Sequence, residues 1–169
     1  MGFKAVLPYE LKENVFDFIK KRCPLLSSES DGKLNTMTVN WGQMGYLWNK
    51  CVTTVYVRPQ RYTFPIIDSS DTYSLCFMGD GYTKQVAYCG KVSGRDEDKI
   101  ANCGFTVAYR DGVPYFEEAE LVLICRKCYA SWLDESGFVD KSVVENCYSQ
   151  KDFHKMFIGE ITEMLVRED

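Results

Sequence analysis

The chain has 169 residues, of which 46% are hydrophobic and 14% aromatic, so it is long enough to bury one substantial core. Its formal net charge of -4 argues against general nucleic-acid binding, because a phosphate backbone requires a basic surface. No apolar run approaches the roughly 20 residues of a membrane helix, and residues 1 to 15 lack the apolar core of a signal peptide. We therefore expect one cytoplasmic domain, residues 1 to 169, with no nucleic-acid or membrane partner.

The N-terminal segment has the apolar spacing of a helix. Leu11, Val15, Phe18 and Ile19 recur at helical intervals after Pro8. We expect residues 1 to 23 to form a peripheral helical segment that packs on the core.

The apolar period then changes to two, which is typical of strands. Asp31-Gly32 tolerates positive φ and predicts a hairpin between the two runs that flank it, and the sequence GQMG at 42 to 45 predicts a turn. Further strands are expected at 51 to 57, 72 to 77 and 105 to 109, and the two longest at 119 to 133 and 154 to 166.

Short helices are expected between these strands. They are predicted at 62 to 70, at 84 to 90 with Gly90 as the stop, and at 95 to 104 with acids in the first turn and Gly104 as the C-cap. A mainly β protein with six or seven antiparallel strands leaves few edges open if it forms a closed or nearly closed barrel. A β-sandwich is the alternative.

The eight cysteines include one CxxC sequence, Cys125 to Cys128. It lies in a predicted strand, where residues three apart point to opposite faces. With one histidine in the chain and no second CxxC, we expect ordinary reduced thiols and no metal site. A redox-sensing role for the thiols remains the alternative.

Two turns have the composition of an anion site. In the first, Pro59 sets the backbone after a strand, and Arg58, Arg61 and Thr63 offer guanidinium and hydroxyl donors suited to phosphate. The competing interpretation is a pair of ordinary surface arginines near acids.

The second turn is CGKVSGRDEDK at 89 to 99. Its glycines allow close backbone approach, and its amides and cations favour a negative group. The competing interpretation is a flexible loop with a helix cap at Ser93 or Asp96. The spacing is not that of a Walker loop.

The strand at 35 to 41 is polar on one face, with Thr36, Thr38 and Asn40, and apolar on the other, with Met37 and Trp41 among its residues. A phosphorylated planar redox ligand such as a flavin needs this mixture of hydrogen-bond partners and apolar surface. An edge strand with its threonines in water is the simpler interpretation. His154, the one histidine, could contact a nicotinamide donor or supply a proton, although a lone histidine more often packs or faces solvent.

Five segments in this order resemble the flavin reductase-like family of FMN-binding split barrels, and within it the flavoredoxin-type members. The segments are DGKLNTMTVNWGQMG, VYVRPQRYT, YCGKVSGRDEDKI, DGVPYFEEAELVLICRKCYA and HKMFIGEI, and together they span about Asp31 to Val166. The resemblance implies a six-stranded, antiparallel, Greek-key-like split barrel. It also implies a homodimer that holds FMN near the subunit interface and exchanges electrons with NADH, NADPH or a protein partner.

The resemblance also implies roles for individual residues. Those near the flavin ring and ribityl chain are Asn35, Thr36, Met37, Thr38 and Trp41. Those of the phosphate turn are Arg58, Arg61, Tyr62 and Thr63, and those of the opposite wall are Cys89, Gly90, Lys91, Ser93, Gly94 and Arg95. His154 matches a histidine placed near the nicotinamide, and Cys89 departs from the serine that is common in the family.

The activity that the resemblance implies is hydride transfer from NADH or NADPH to FMN, and then electron delivery to free flavin, oxygen or a protein acceptor. One alternative is an FMN electron carrier without nicotinamide turnover. Another is a binding protein that kept the barrel and lost its flavin.

Overall fold

A computed structural model describes residues 2 to 168, in which strands dominate and every strand pairing is antiparallel. The strands are β1 Phe3–Val6, β2 Leu25–Ser30, β3 Lys33–Thr38, β4 Gly42–Leu47, β5 Lys50–Val57, β6 Thr72–Met78, β7 Val107–Arg110, β8 Val113–Phe116, β9 Ala119–Trp132 and β10 Lys155–Arg167. Over residues 2 to 168, eight of them form one sheet in the order β3-β2-β6-β9-β10-β5-β4, with β1 added on β10. β7 and β8 form a separate two-stranded sheet.

Five α-helices and three 3-10 helices interrupt the strands of the described chain. The α-helices are α1 Val15–Lys20, α2 Thr63–Ser69, α3 Thr83–Lys91, α4 Lys99–Cys103 and α5 Lys141–Cys147. The 3-10 helices are Pro8–Glu10, Asp80–Tyr82 and Glu135–Gly137. The predicted class, mainly β with short helices in an antiparallel sheet, is confirmed.

Apolar residues on both faces of β9 explain why its first half is buried. Leu121, Leu123 and Cys125 join one buried cluster, whereas Val122 and Ile124 join a second cluster. Successive residues of a strand point to opposite faces, so the two clusters lie on opposite sides of the sheet. The second cluster also contains Cys89, Phe105 and Phe116, from the segments around α3, α4 and β8.

The β2–β3 hairpin is confirmed at Asp31-Gly32, whose φ values are 51° and 69°. The turn predicted from GQMG is wrong, because residues 42 to 47 form β4 and pair with β5. The turn lies instead at Trp48 and Asn49, with φ values of 54° and 57°. Gly42 serves strand pairing, since a Cβ there would stand 3.0 Å from the carbonyl oxygen of Thr54. The sheet therefore has more strands than the six expected.

The helix predictions are right in position and imprecise at the ends. α3 runs through Gly90 to Lys91, so Gly90 does not stop it. The acids expected in the first turn of α4 precede the helix, where the Asp98 side chain accepts from the amide of Ala101 and caps it. Gly104 ends α4 in the left-handed region at φ 67°, as predicted.

The N-terminal segment is part strand and part helix. Residues 3 to 6, expected to be helical, form β1 on β10. Phe18 of α1 is buried, and its ring stacks on that of Phe77 with centroids 3.9 Å apart, which fixes α1 on the core. Met1 lies outside the described residues.

The fold brings three chain segments to one end of β3. They are β3 itself, the turn of residues 58 to 62 between β5 and α2, and residues 89 to 99 from the last turn of α3 to the start of α4. The Thr38 hydroxyl donates to the carbonyl of Val86 and so holds α3 against β3. None of the helices in the described chain is long and apolar enough to cross a membrane.

Candidate functional site

A cleft at this end of β3 consists of three adjoining cavities, and Arg61 lines all of them. The loop pocket is about 170 Å³ and lies between β3, the turn at 58 to 62 and the α3–α4 loop. The central cavity is about 520 Å³ and lies between α3 and residues 21 to 23. The His154 pocket is about 250 Å³ and is lined by Trp41, Tyr56 and Arg58 as well as by His154. A cleft of this size suits a small organic ligand.

The loop pocket gathers four cations, Arg61, Lys91, Arg95 and Lys99. Among the described residues that line it there is no carboxylate. Arg61 makes a long hydrogen bond of 3.4 Å from Nη1 to the carbonyl of Gly90, so its guanidinium retains donors for another group. In a chain with a net charge of -4, this pocket is a local site for a negative group.

The α3–α4 loop, which forms one wall of the loop pocket, depends on Gly94. A Cβ on Gly94 would stand 2.4 Å from Oδ1 of Asn35 and 2.7 Å from Cδ1 of Tyr62. The absence of a side chain therefore lets this wall close onto β3. The Arg95 guanidinium lies over the Tyr62 ring and donates to the carbonyl of Gln60 at 3.2 Å. These contacts join the wall to the turn of residues 58 to 62, called the arginine turn below.

Lys99 is a buried cation at the back of the loop pocket. It is 4% exposed, and its Nζ donates to the carbonyl of Cys89 at 3.0 Å. Burial lowers the pKa of Lys99, and the charge of Arg61 adds to this effect. A buried ammonium with a neutral acceptor is electrostatically incomplete, and a negative ligand would complete it.

The central cavity is also cationic at its rim. Lys21, Arg22 and Lys91 line it together with Asp80. Two of these cations have partners: Arg22 pairs with Glu120, and Lys21 pairs with Asp17 at 2.9 Å.

Two polar side chains that line the His154 pocket, Arg58 and His154, are bonded to side chains beside the pocket. Arg58 forms an ion pair with Asp152, and its Nη2 donates to the carbonyl of Cys147 at 2.8 Å. Gln60 donates to the same carboxylate at 2.7 Å. The bonds from Gln60 and Arg58 lower the pKa of the Asp152 carboxyl. Arg58 is thus an internal tie between the arginine turn and the segment after α5.

His154 is buried and bonded to Tyr148. Its Nδ1 lies 2.9 Å from the Tyr148 hydroxyl, and its ring lies 4.9 Å from that of Trp41. Burial, followed by the charge of Arg58, lowers the pKa of His154 to about 4. The imidazole is therefore neutral at physiological pH, and Nε2 is the ring nitrogen left for a ligand.

The polar side chains of β3 have different partners. Asn35 donates to the Thr63 hydroxyl at 2.8 Å and thereby orients the edge of the loop pocket. Thr36 bonds to Ser27 and to the carbonyl of Leu26, so it stabilises the β2–β3 pair and lines none of the three cavities in the described chain.

The structure therefore separates the residues that the sequence singled out. The loop pocket is lined by Asn35, Met37, Arg61, Tyr62, Thr63, Cys89, Gly90, Lys91, Ser93, Gly94 and Arg95. The His154 pocket is lined by Met37, Thr38, Trp41, Arg58, Arg61 and His154. Arg58 and Arg61, which were expected in one phosphate turn, point to different groups, and Thr36 faces neither pocket.

The chain is similar to known proteins both in sequence and in fold. The family model described as flavin reductase like domain matches residues 19–169. The chain belongs to this family. A search of proteins with curated descriptions found no match to this flavin reductase-like domain.

Several solved structures share the fold of this flavin reductase-like domain. Flavoredoxin from Methanosarcina acetivorans is 28% identical with a TM-score of 0.67, over 86% of this chain and 68% of that chain. Flavoredoxin of Desulfovibrio vulgaris (Miyazaki F) is 22% identical with a TM-score of 0.67, over 86% and 69%. An FMN-binding domain of a flavin reductases-like enzyme from Shewanella baltica OS155 is 19% identical with a TM-score of 0.68, over 98% and 77%. The predicted split-barrel fold is confirmed.

Sequence reasoning missed Lys99, which lines the loop pocket, and also Tyr148 and Asp152, which bond to His154 and Arg58 of the flavin reductase-like domain's cleft. Lys99 carried a usable signal, because a lysine in the first turn of a helix opposes the helix dipole and needs another reason to be there. Tyr148 and Asp152 follow α5, which was not predicted, and no local pattern connects them to a turn about 90 residues earlier.

The CxxC sequence does not form a joint site. Cys125 is buried and Cys128 is exposed, and all eight cysteines are free thiols. Within the described residues, no group of three or more His, Cys, Asp or Glu side chains is placed to hold a metal ion.

Proposed function

We propose that this chain binds FMN in the cleft, with the phosphate in the loop pocket. The observation that carries the proposal is the set of four cations, Arg61, Lys91, Arg95 and Lys99, around a small pocket whose described lining has no carboxylate. Guanidinium groups bind phosphate oxygens through paired, charge-assisted hydrogen bonds. A buried lysine supplies a compact positive charge behind them.

The shape of the pocket fits the same ligand. Gly94 brings the loop close to Asn35, and a Cβ on Gly90 would stand 3.1 Å from Cβ of Thr38. These close approaches bring the backbone of the α3–α4 loop to the wall of the pocket, as phosphate sites require. The Ser93 hydroxyl, which accepts from the amide of Arg95 at 3.2 Å, lies on this wall and can donate to a phosphate oxygen.

The rest of the cleft suits a planar ring. Met37 and Trp41 offer apolar surface, and the neutral His154 beside them offers a hydrogen-bonding nitrogen. Two proteins that share this fold support the proposal of FMN binding, because one is described as an FMN-binding domain and another as a flavoredoxin.

We propose further that the chain is an oxidoreductase that uses NADH or NADPH. Bound FMN would supply hydride acceptance from the nicotinamide and onward electron transfer to free flavin, oxygen or a protein acceptor. The chain's own part is to bind and orient. Tyr148 holds the His154 ring through Nδ1, which leaves Nε2 for a nicotinamide contact, and the low pKa of His154 keeps an extra proton off this ring.

The test is a visible spectrum of FMN-reconstituted protein, recorded before and after anaerobic addition of NADH and then NADPH. Bleaching of the flavin bands within seconds is the expected result, and it also identifies the donor. Bound flavin that stays oxidised with both nucleotides would refute the reductase activity and favour an electron carrier. Absence of flavin binding would refute the whole assignment.

We also propose that a second copy of the chain covers an aromatic face next to the cleft. Three aromatic side chains on or beside β4, β5 and β9 are 45% to 53% exposed, and they are Trp41, Trp48 and Tyr129. Exposed aromatic clusters of this kind mark protein interfaces. Trp41 also lines the His154 pocket, so a homodimer through this face would place the ligand near the subunit interface.

Light scattering coupled to size exclusion tests this assembly. We expect a dimer for the wild type and a monomer for Trp48→Ser combined with Tyr129→Ser. Phe16→Ser, which removes an exposed aromatic side chain of α1, is the matched control and should remain dimeric. A monomeric wild type would contradict the proposal.

A further inference from the structure

Two cysteines lie on either side of the segment formed by the α3–α4 loop and α4. Cys89 is in the last turn of α3, and Cys103 is the last residue of α4. Their Sγ atoms are 3.7 Å apart, close to van der Waals contact. The segment between them contains Ser93, Gly94 and Lys99, so these two thiols bracket one whole wall of the loop pocket.

The surroundings of the two thiols differ in a way that assigns them different roles. Cys89 is 1% exposed within the buried cluster on the α3 side of the sheet, whereas Cys103 is partly exposed. Cys103 is thus the thiol that a small oxidant can reach, and Cys89 is held directly behind it. Burial raises the pKa of both thiols, and the positive charge of Lys99 near the two sulfurs partly opposes this rise.

We propose that Cys89 and Cys103 form a reversible disulfide that ties the last turn of α3 to the end of α4 and slows release of the ligand from the loop pocket. The cross-link itself rests on the position of the two thiols alone. Its effect on the ligand rests on the proposed function, in which this pocket holds the FMN phosphate.

The oxidant that we propose is hydrogen peroxide. A Cys103 thiolate attacks one peroxide oxygen of hydrogen peroxide, the O–O bond breaks, and the products are a sulfenic acid and, after proton uptake, water. The Cys89 sulfur then attacks the Cys103 sulfur, the S–S bond forms, and a second water leaves with the thiol proton. A small dithiol reverses the reaction by exchange and is itself oxidised.

The geometry allows the second step with little movement. An S–S bond is about 2.05 Å long, so the two sulfurs must approach by rotation of side chains on neighbouring helix ends. Burial raises the pKa of both thiols, to about 12 for Cys89, so the reaction is expected to be slow at neutral pH and faster as the pH rises.

The physical consequence concerns the freedom of the loop. With α3 tied to the end of α4, the loop between these two helices has fewer open conformations in the ligand-free state. A ligand that leaves through an opening of this wall is therefore retained longer in the oxidised protein.

Peptide mass spectrometry tests the cross-link. Wild-type protein is treated with hydrogen peroxide, alkylated and digested with trypsin, which releases Cys89 in residues 85 to 91 and Cys103 in residues 100 to 110. We expect these two peptides as one disulfide-linked species that dithiothreitol separates, in the wild type and in the control Cys128→Ser. Recovery of both peptides with alkylated or singly oxidised thiols would overturn the proposal.

Stopped-flow fluorescence of released FMN tests the consequence. We expect dissociation at least threefold slower from the oxidised than from the reduced wild type, and no difference between the two treatments of Cys103→Ser. Equal rates from a protein with a verified cross-link would overturn the retention effect. Failure of the reduced and oxidised proteins to bind any FMN would overturn the proposed function and the retention effect together, whereas the cross-link is decided by mass spectrometry alone.

Discussion

The loop pocket and the His154 pocket share Arg61 and Met37, but their electrostatics are opposite in kind. In the loop pocket, cations surround a space whose described lining has no carboxylate. At the His154 pocket, Arg58 pairs with Asp152, which also accepts from Gln60, and His154 bonds to Tyr148. The comparison teaches that the two groups of cations differ in their partners. The cations of the proposed phosphate site face no carboxylate in the described lining, whereas Arg58 is paired with Asp152.

The largest expected effect concerns the His154 pocket. It is the change in the free energy of unfolding with pH. His154 titrates near pH 4 in the folded protein and near 6.5 when unfolded, so the unfolded chain binds more protons between these values. The contribution of His154 to the free energy of unfolding is therefore fully present above about pH 6.5. It is lost, by up to about 3 kcal/mol, as the pH drops to 4. Urea unfolding at pH 7, 6, 5 and 4 measures this slope.

The matched variant for this measurement is His154→Gln. Because the chain has one histidine, the variant should lose the slope between pH 6.5 and 5, where carboxylates contribute little. An equal slope in wild type and variant would show that folding does not lower the pKa of His154.

The next effect separates the two arginines that lie three residues apart. Arg61→Met should weaken FMN binding by about 2 kcal/mol, roughly 30-fold, and leave the free energy of unfolding within about 0.5 kcal/mol. Arg58→Met should lower the free energy of unfolding by about 2 kcal/mol, because Asp152 loses its partner, and change FMN affinity little. Fluorescence titration with FMN and urea unfolding of both variants measure the two quantities. The same pattern in both variants would mean that the two pockets do not differ in the way described.

The smallest effect concerns Lys99. Lys99→Met should weaken FMN binding by about 1 kcal/mol, roughly fivefold, because one buried charge no longer faces the phosphate. The free energy of unfolding should stay level or rise, since an unpaired buried ammonium is replaced by an apolar side chain of similar length. Lys91→Met, at an exposed position of the same pocket, is the control and should weaken binding less. A clear loss of stability in Lys99→Met, with unchanged FMN affinity, would assign Lys99 a structural role only.

Local sequence patterns predicted the structure correctly wherever neighbouring residues in the chain decide the backbone conformation. Asp31-Gly32 makes its hairpin, Gly104 ends α4, and the apolar runs of β9 and β10 become the two longest strands. These features depend on backbone sterics and on alternation along a single segment. The same reasoning failed at GQMG, because Gly42 is required by the carbonyl of Thr54 on the neighbouring strand and not by a turn.

The sequence by itself determined the mainly β class, the β2–β3 hairpin and the family to which the chain belongs. It also brought the arginine turn and the glycine-rich loop forward as candidates. Only the tertiary structure decided that Arg58 pairs with Asp152, that Lys99 is buried behind the loop pocket and that Cys89 meets Cys103. The physical reason is that charge partners and burial depend on which segments the sheet brings together, and these segments are far apart in the chain.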